Sequence, residues 1–170
     1  GGDGTFESAL NYPPLQNKSL GFFPLGAGNC FYSYFYKGKR FEYLRSRFHF
    51  REIPIDTIEL ALDDKRLQAL FLSIGLDAEV MRLAKERTNN GFSDYITASW
   101  QALLAGKASF QLDVIIDETK HHWRNCINIT LGKVPYHGFG IRSLLGKLTP
   151  DDGRIYGLAY ISYYPLIFNK

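Results

Sequence analysis

The sequence predicts an α+β fold: a short α/β portion over residues 1–36, then an antiparallel β domain carrying two helices over residues 37–170. Three observations carry this reading. Aromatic residues are plentiful, with 13 Phe, 11 Tyr and 2 Trp, and such side chains fit a pleated, half-buried surface. Two glycine-rich turns, Gly1-Gly2-Asp3-Gly4-Thr5 and Gly26-Ala27-Gly28-Asn29, each open a short helical stretch. Further along, apolar residues recur mainly with a period of two, interrupted by two segments of helical spacing.

The elements follow in order. Thr5 to Leu10 is helical and is stopped by Pro13-Pro14. Leu20-Gly21-Phe22-Phe23 is a short apolar run, expected as a buried strand ahead of the second glycine turn. Cys30 to Tyr36 begins a helix. Ile53, Ile55, Ile58, Leu60 and Leu62 outline a strand, Asp63-Asp64 a turn, and Leu67 to Ile74 the returning strand of a hairpin. Leu76, Val80, Leu83 and Ala84 have helical spacing, as do Phe92, Tyr95, Ile96, Ser99, Trp100, Leu103 and Leu104. Asn89-Asn90-Gly91 separates these helices, and Gly106 stands where the second should stop. Phe110, Leu112, Val114 and Ile116 alternate as a strand, Ile127, Ile129 and Leu131 as the next, with the turn expected over Asp117 to Arg124. Ile155 to Tyr163 is the last clear strand.

Composition narrows the function. A chain of 170 residues suffices for one domain, or for a domain plus part of another. A net charge of +3 is too weak for a nucleic-acid partner, yet compatible with loose contact to an anionic membrane surface. The basic residues Lys37, Lys39, Arg40, Arg45, Arg47 and Arg51, interleaved with Tyr36, Phe41, Tyr43, Phe48 and Phe50, read as the solvated face of a strand or loop. Cys30 and Cys126 define neither a metal site nor a disulfide framework, which points to a reducing compartment. His49, His121, His122 and His137 lack zinc-type spacing with them. No apolar run approaches the roughly 20 residues of a membrane-spanning helix. The chain opens on two glycines without an initiator Met, and we expect an upstream portion to be missing.

The first glycine turn has the chemistry of an anion site. Glycines at 1, 2 and 4 carry no Cβ, so backbone N–H groups can approach an anion closely. Thr5 can cap the helix or donate its hydroxyl to a phosphate, and the helix N-terminus favours negative charge. Asp3 is the odd member; it makes sense as a residue that orients the loop or holds magnesium through water. The second turn follows an apolar run and opens a helix, the context that a phosphate-binding turn needs. Each turn alone is weak evidence, and the pair in this order is much stronger.

Gly-Gly-Asp-Gly-Thr followed by Pro24-Leu25-Gly26-Ala27-Gly28-Asn29 resembles the catalytic domain of diacylglycerol and sphingosine kinases and their bacterial lipid-kinase relatives. Gly75-Leu76-Asp77-Ala78-Glu79 resembles the family's Gly-Phe-Asp-Ala-Glu segment, and Pro150-Asp151-Asp152-Gly153 its Asp-Gly turn. The resemblance implies an α/β nucleotide-binding domain, of which residues 1–36 would be the C-terminal part, followed by a β-sandwich. It implies transfer of the γ-phosphoryl group of ATP, with magnesium, to a lipid hydroxyl of the diacylglycerol or sphingoid-base class. It implies a cytoplasmic enzyme working at the membrane surface. Gly1, Gly2, Asp3, Gly4 and Thr5 would then line the phosphate site, faced by Gly26, Gly28 and Asn29, and Asp152 would be the general base. Asp56 and Asp77 are further candidates, joined to magnesium through water. A helix cap explains Asp77 equally well.

The chain also departs from the family pattern. Ala27 stands where Thr or Ser is usual, and Cys30-Phe31-Tyr32-Ser33 where Asp-Phe-Ala-Arg is usual. The first helix's usual Glu falls on Ser8; Glu7, one place early, would point about 100° away. Leu131-Gly132-Lys133 replaces a frequent Asn-Gly. A weakly active or non-catalytic lipid- or membrane-binding relative therefore stands as the alternative. A chain lacking the upstream sheet is expected not to phosphorylate lipid alone. Phe92, Trp100 and Leu104 could line the lipid pocket or serve as core.

Overall fold

The computed structural model describes residues 1–26, 28–36, 52–87, 92–104, 109–137, 141–142, 144, 146–161 and 164–169. The fold is α+β. By contacts the chain forms two compact units, one of Gly1–Phe71 with Gly132–Ile155, the other of Leu72–Leu131 with Tyr156–Lys170. The domain boundary expected between residues 36 and 37 abuts the stretch 37–51, which lies outside the described residues, as does the basic-aromatic stretch within it. Asn89-Asn90-Gly91 and Gly106 lie outside them as well.

In the first unit, α1 spans Asp3–Leu10 and is followed by one 3-10 turn, Pro13–Leu15, where the two prolines end regular helix. Residues 20–23 are not a strand among the described residues: Leu20 and Phe22 are half-buried, and Gly21 and Phe23 face solvent. Helix α2 spans Cys30–Tyr36. Strands β1 (Ile58–Leu62) and β2 (Lys65–Ala69) pair antiparallel around the Asp63-Asp64 turn, with Leu62 opposite Lys65. The core gathers Phe31, Leu70 and Val134, with Phe6, Leu10, Phe22, Tyr34, Phe35 and Ile55 packed against them. Phe6, Phe22 and Phe31 form an aromatic trio with centroids 5.4–6.1 Å apart, two of the three pairs edge to face, the geometry that ring quadrupoles favour.

The second unit is built on a five-stranded sheet. Its path runs β3 (Phe71–Gly75), β5 (Thr119–Gly132), β8 (Tyr156–Ile161) and β9 (Tyr164–Asn169), with β4 (Phe110–Ile116) paired to β5. The returning strand expected over Leu67 to Ile74 is thus two strands, broken at the fully buried Leu70. The turn expected over Asp117 to Arg124 is only Asp117-Glu118, both at positive φ, and the strand resumes at Thr119. The β4–β5 register slips between Phe110 and Leu112, where Asn125 also has φ of 55°: a β-bulge. In the core, Cys126, Ile129 and Ala159 meet Phe110, Leu112, Trp123, Leu131 and Ile161. Helices α3 (Leu76–Lys85) and α4 (Phe92–Leu104) pack together, burying Val80, Tyr95, Ala98 and Ala102. Gly75 allows β3 to run straight into α3. Its φ is 103°, and a Cβ there would lie 2.4 Å from the Ile127 carbonyl oxygen.

A last pair, β6 (Tyr136–His137) and β7 (Ile141–Arg142), belongs to the first unit. Cys30 and Cys126 are both buried thiols. Among the described residues, no helix is long and apolar enough to cross a membrane.

Candidate functional site

The two glycine turns meet. A Cβ on Gly2 would lie 2.8 Å from the Gly26 Cα, and Leu25 N–H donates to the Gly1 carbonyl at 3.3 Å. Gly2, extended, is the N-cap of α1, so Thr5 lies inside the helix rather than capping it. Thr5 folds back over Gly1, where a Cβ would come within 2.4 Å of it. The first intrahelical bond runs from Phe6 N–H to the Gly2 carbonyl at 3.1 Å, so the N–H groups of Asp3, Gly4 and Thr5 precede the helical ladder. Gly4 is half a turn in and exposed, with nothing within 4 Å of where its Cβ would be.

Asn29, buried and at φ of 47°, closes the second turn from within. Its Oδ1 accepts from Gly26 N–H at 2.9 Å, and its amide Nδ2 donates to the Gly26 carbonyl. Asp3 Oδ1 accepts from Phe31 N–H at 3.3 Å, so this carboxylate caps the start of α2 and ties the turns together. Cys30, which stands where the family pattern has Asp, is buried, as are Phe31 and Tyr32 after it. Ala27 lies outside the described residues.

Asp56 and Asp152 come together elsewhere in the same unit, around a residue the sequence had not marked. Lys133 is buried, its side chain 1% exposed. Its Nζ lies 2.9 Å from Asp152 Oδ1, 3.0 Å from Asp56 Oδ2 and 2.6 Å from the Arg154 carbonyl oxygen. Asp56 Oδ2 also accepts from Gly153 N–H at 2.7 Å, and Asp152 Oδ1 from Arg154 N–H at 3.1 Å. Asp56 N–H donates to the Pro150 carbonyl at 2.8 Å. The Asp-Gly turn is thereby fastened to residues 52–57. Burial alone would push the Lys133 ammonium down, but Asp152 and then Asp56 outweigh it and hold it above its ordinary value. The Gly153 N–H, then Lys133, holds the Asp56 carboxyl below its own.

Asp77 stands in the second unit at the start of α3. Its Oδ2 accepts from Ser73 Oγ at 2.9 Å, Asn128 Nδ2 at 2.8 Å and Thr130 Oγ1 at 3.1 Å. Asn128 Oδ1 returns the favour, accepting from Asp77 N–H at 3.0 Å. Asn128 and Thr130 are both buried, so Asp77 satisfies polar groups on β5 while its charge suits a helix N-terminus.

Magnesium does not fit these carboxylates as they stand. Between Asp56 and Asp152 an ammonium occupies the point where the oxygens converge, and Asp77 Oδ2 is taken by three donors. Among the described residues no group of three or more His, Cys, Asp and Glu could hold a metal ion. Phosphate fits better at Asp3–Thr5, where backbone donors adjoin a glycine with open space in front of it.

Other expectations fall as follows. Ser8 is exposed and donates Oγ to the Gly4 carbonyl at 2.8 Å, whereas Glu7 turns inward. Trp100 and Leu104 are 63% and 82% exposed, so neither is core nor lines an enclosed pocket. The side chain of Phe92 lies outside the described residues. A half-open pocket of about 430 Å³ lies in the first unit, walled mainly by Phe6, Leu10, Phe22, Phe31, Phe35 and Leu70, with Lys18, Ser19 and Glu52 also lining it. Lys133 could have been noticed from sequence: a lone charge in the apolar stretch Ile127–Val134 needs a partner when buried.

No family model matches the chain, and no curated protein matches it. Among solved structures it is similar to the crystal structure of "a putative diacylglycerol kinase" from Bacillus anthracis str. Sterne, with a TM-score of 0.57 at 19% identity. The match covers 95% of this chain and 55% of that one. The chain thus spans about half the length of that structure and shares the fold of that part of it.

Proposed function

We propose that this chain is part of an ATP-dependent lipid kinase, transferring a phosphoryl group to a lipid hydroxyl of the diacylglycerol or sphingoid-base class. The N–H groups of Asp3, Gly4 and Thr5, with the turn Gly26–Asn29 beside them, hold the nucleotide phosphates. Asp152 accepts the hydroxyl proton. Phosphoryl transfer asks little covalent chemistry of a protein, so placing the phosphates and accepting that proton are the main tasks.

Gly4 carries this reading. Within a helix, glycine costs about 0.5–1 kcal/mol relative to alanine. The fold has room for a methyl group at this position, so packing gives no reason for the glycine. Close approach of an anion to the backbone gives one. The test compares ATP binding by the chain and by Gly4→Ala. The expected result is weaker binding by about tenfold or more, equivalent to about 1.4 kcal/mol, with melting temperature unchanged or raised. Absence of ATP binding, or binding indifferent to the methyl, sinks the reading.

The Lys133–Asp152 ion pair favours a second reading, a non-catalytic lipid- or membrane-binding relative, because an ammonium already engages the carboxylate assigned as base. Transfer of labelled phosphate from ATP to diacylglycerol or sphingosine in mixed vesicles separates the two. The kinase reading expects labelled lipid from the full-length protein and none from Asp152→Asn. The second expects vesicle binding without label from either.

A further inference from the structure

We infer that Lys133 is a built-in cation: its ammonium takes the place that a divalent ion would hold between Asp56, Asp152 and the Arg154 carbonyl, so that this corner assembles without metal. Removing the ammonium would uncover a divalent-cation site. This goes beyond the proposed phosphoryl transfer and does not depend on it.

The chemistry of the oxygens supports this. Two carboxylates and one main-chain carbonyl converge on one point, a set of hard ligands of the kind that suits magnesium or calcium. They come from separate stretches of chain, residue 56 and the turn 152–154, and the lysine enters from a third at residue 133. An ammonium has three N–H donors, and Nζ has an oxygen at 2.6, 2.9 and 3.0 Å. Lys133 is among the largest fully buried side chains, so the cation is fixed in position rather than shared with solvent. The backbone reinforces it, since Lys133 N–H donates to the Leu70 carbonyl at 2.9 Å. Without a cation, the two carboxylates would face each other across the gap the ammonium leaves.

The test reads stability against metal. For the unaltered chain, the melting temperature is expected to be the same in EDTA as in millimolar magnesium or calcium. For Lys133→Met it should fall in EDTA and recover with either ion, by roughly 5–10 °C at about a hundred times the dissociation constant. Adding Asp56→Asn to Lys133→Met should abolish the recovery. If Lys133→Met does not fold in EDTA, circular dichroism after refolding with and without calcium gives the same readout. A native chain stabilised by the ions would overturn the inference. So would a Lys133→Met chain indifferent to them, or a recovery that survives Asp56→Asn. None of these outcomes depends on ATP binding, so this inference and the kinase reading fail separately.

Discussion

A Cβ built on Gly26 would stand 2.4 Å from the Cα of Gly2. The two glycine turns therefore abut backbone to backbone, and neither can yield as a flexible side chain would. Gly26→Ala should destabilise the protein by about 1–3 kcal/mol, the usual cost of overpacking. Gly4→Ala, two residues along from the same contact but facing open space, should leave stability unchanged or raise it by about 0.5–1 kcal/mol. Urea unfolding of the two variants checks this, and equal effects would mean that the contact is not structural.

Asp77 should matter to stability whatever its part in chemistry. Asp77→Ala leaves Asn128 Nδ2 and Thr130 Oγ1 short of an acceptor in a buried setting. The expected cost is about 1–3 kcal/mol. Asp77→Asn, which keeps one acceptor oxygen, should cost less. The order of the two urea midpoints is the measurement, and an unaffected Asp77→Ala would discard the network as a source of stability.

What the sequence made legible was whatever lies in local spacing. The period-two pattern of Phe110–Ile116 matches a strand with alternating burial, and Asp63-Asp64 is the hairpin turn. The helical spacings near Val80 and Tyr95 lie on the helices expected. The extra length of β5 was hidden because Thr119–Asn125 is mostly polar and exposed, with no apolar rhythm. Strand β9 was hidden by Pro165, which argues against a strand interior. Both glycine turns were visible as motifs. The company kept by Asp152 was not, because Lys133 and Asp56 reach it only through the fold, and the long-range pairing leaves no spacing to read.

The Lys133 cluster predicts a pH profile. Asp56 has its carboxyl held below the ordinary 3.8, so its stabilising contribution is present above that pH and lost as pH falls through the lower folded value. Lys133 is held above the ordinary 10.5, so its contribution is present below that pH and lost as pH rises through the higher folded value. Between the two the contribution is flat. Asp152→Asn should lower the melting temperature across that plateau, with a cost of about 1–3 kcal/mol for weakening a charged hydrogen bond. It should also move the alkaline fall to lower pH, because burial then opposes the ammonium with one carboxylate fewer. Melting curves over a pH series check both, and an unmoved alkaline limb would show that Asp152 does not support the lysine.

Glu7 sets up the opposite sign. It lies on the inner side of α1, and its Oε1 has no hydrogen-bond partner among the described residues. Burial raises its pKa above the ordinary 4.5, backbone N–H groups of Leu70 and Phe71 counter this in part, and the nearby Asp3 charge adds to the rise. A raised carboxyl binds its proton more tightly in the folded state. Its stabilising effect is therefore present below about pH 4.5 and lost as pH rises through the folded value. At neutral pH the fold carries a partly buried charge with an unmatched oxygen. Glu7→Gln removes the charge and keeps a carbonyl for the two backbone donors. It should raise the melting temperature at neutral pH, and the gain should vanish near pH 4, where the native carboxyl is itself neutral. A loss of stability at neutral pH that disappears in acid would show instead that the charge is matched by a partner and that Glu7 is held ionised.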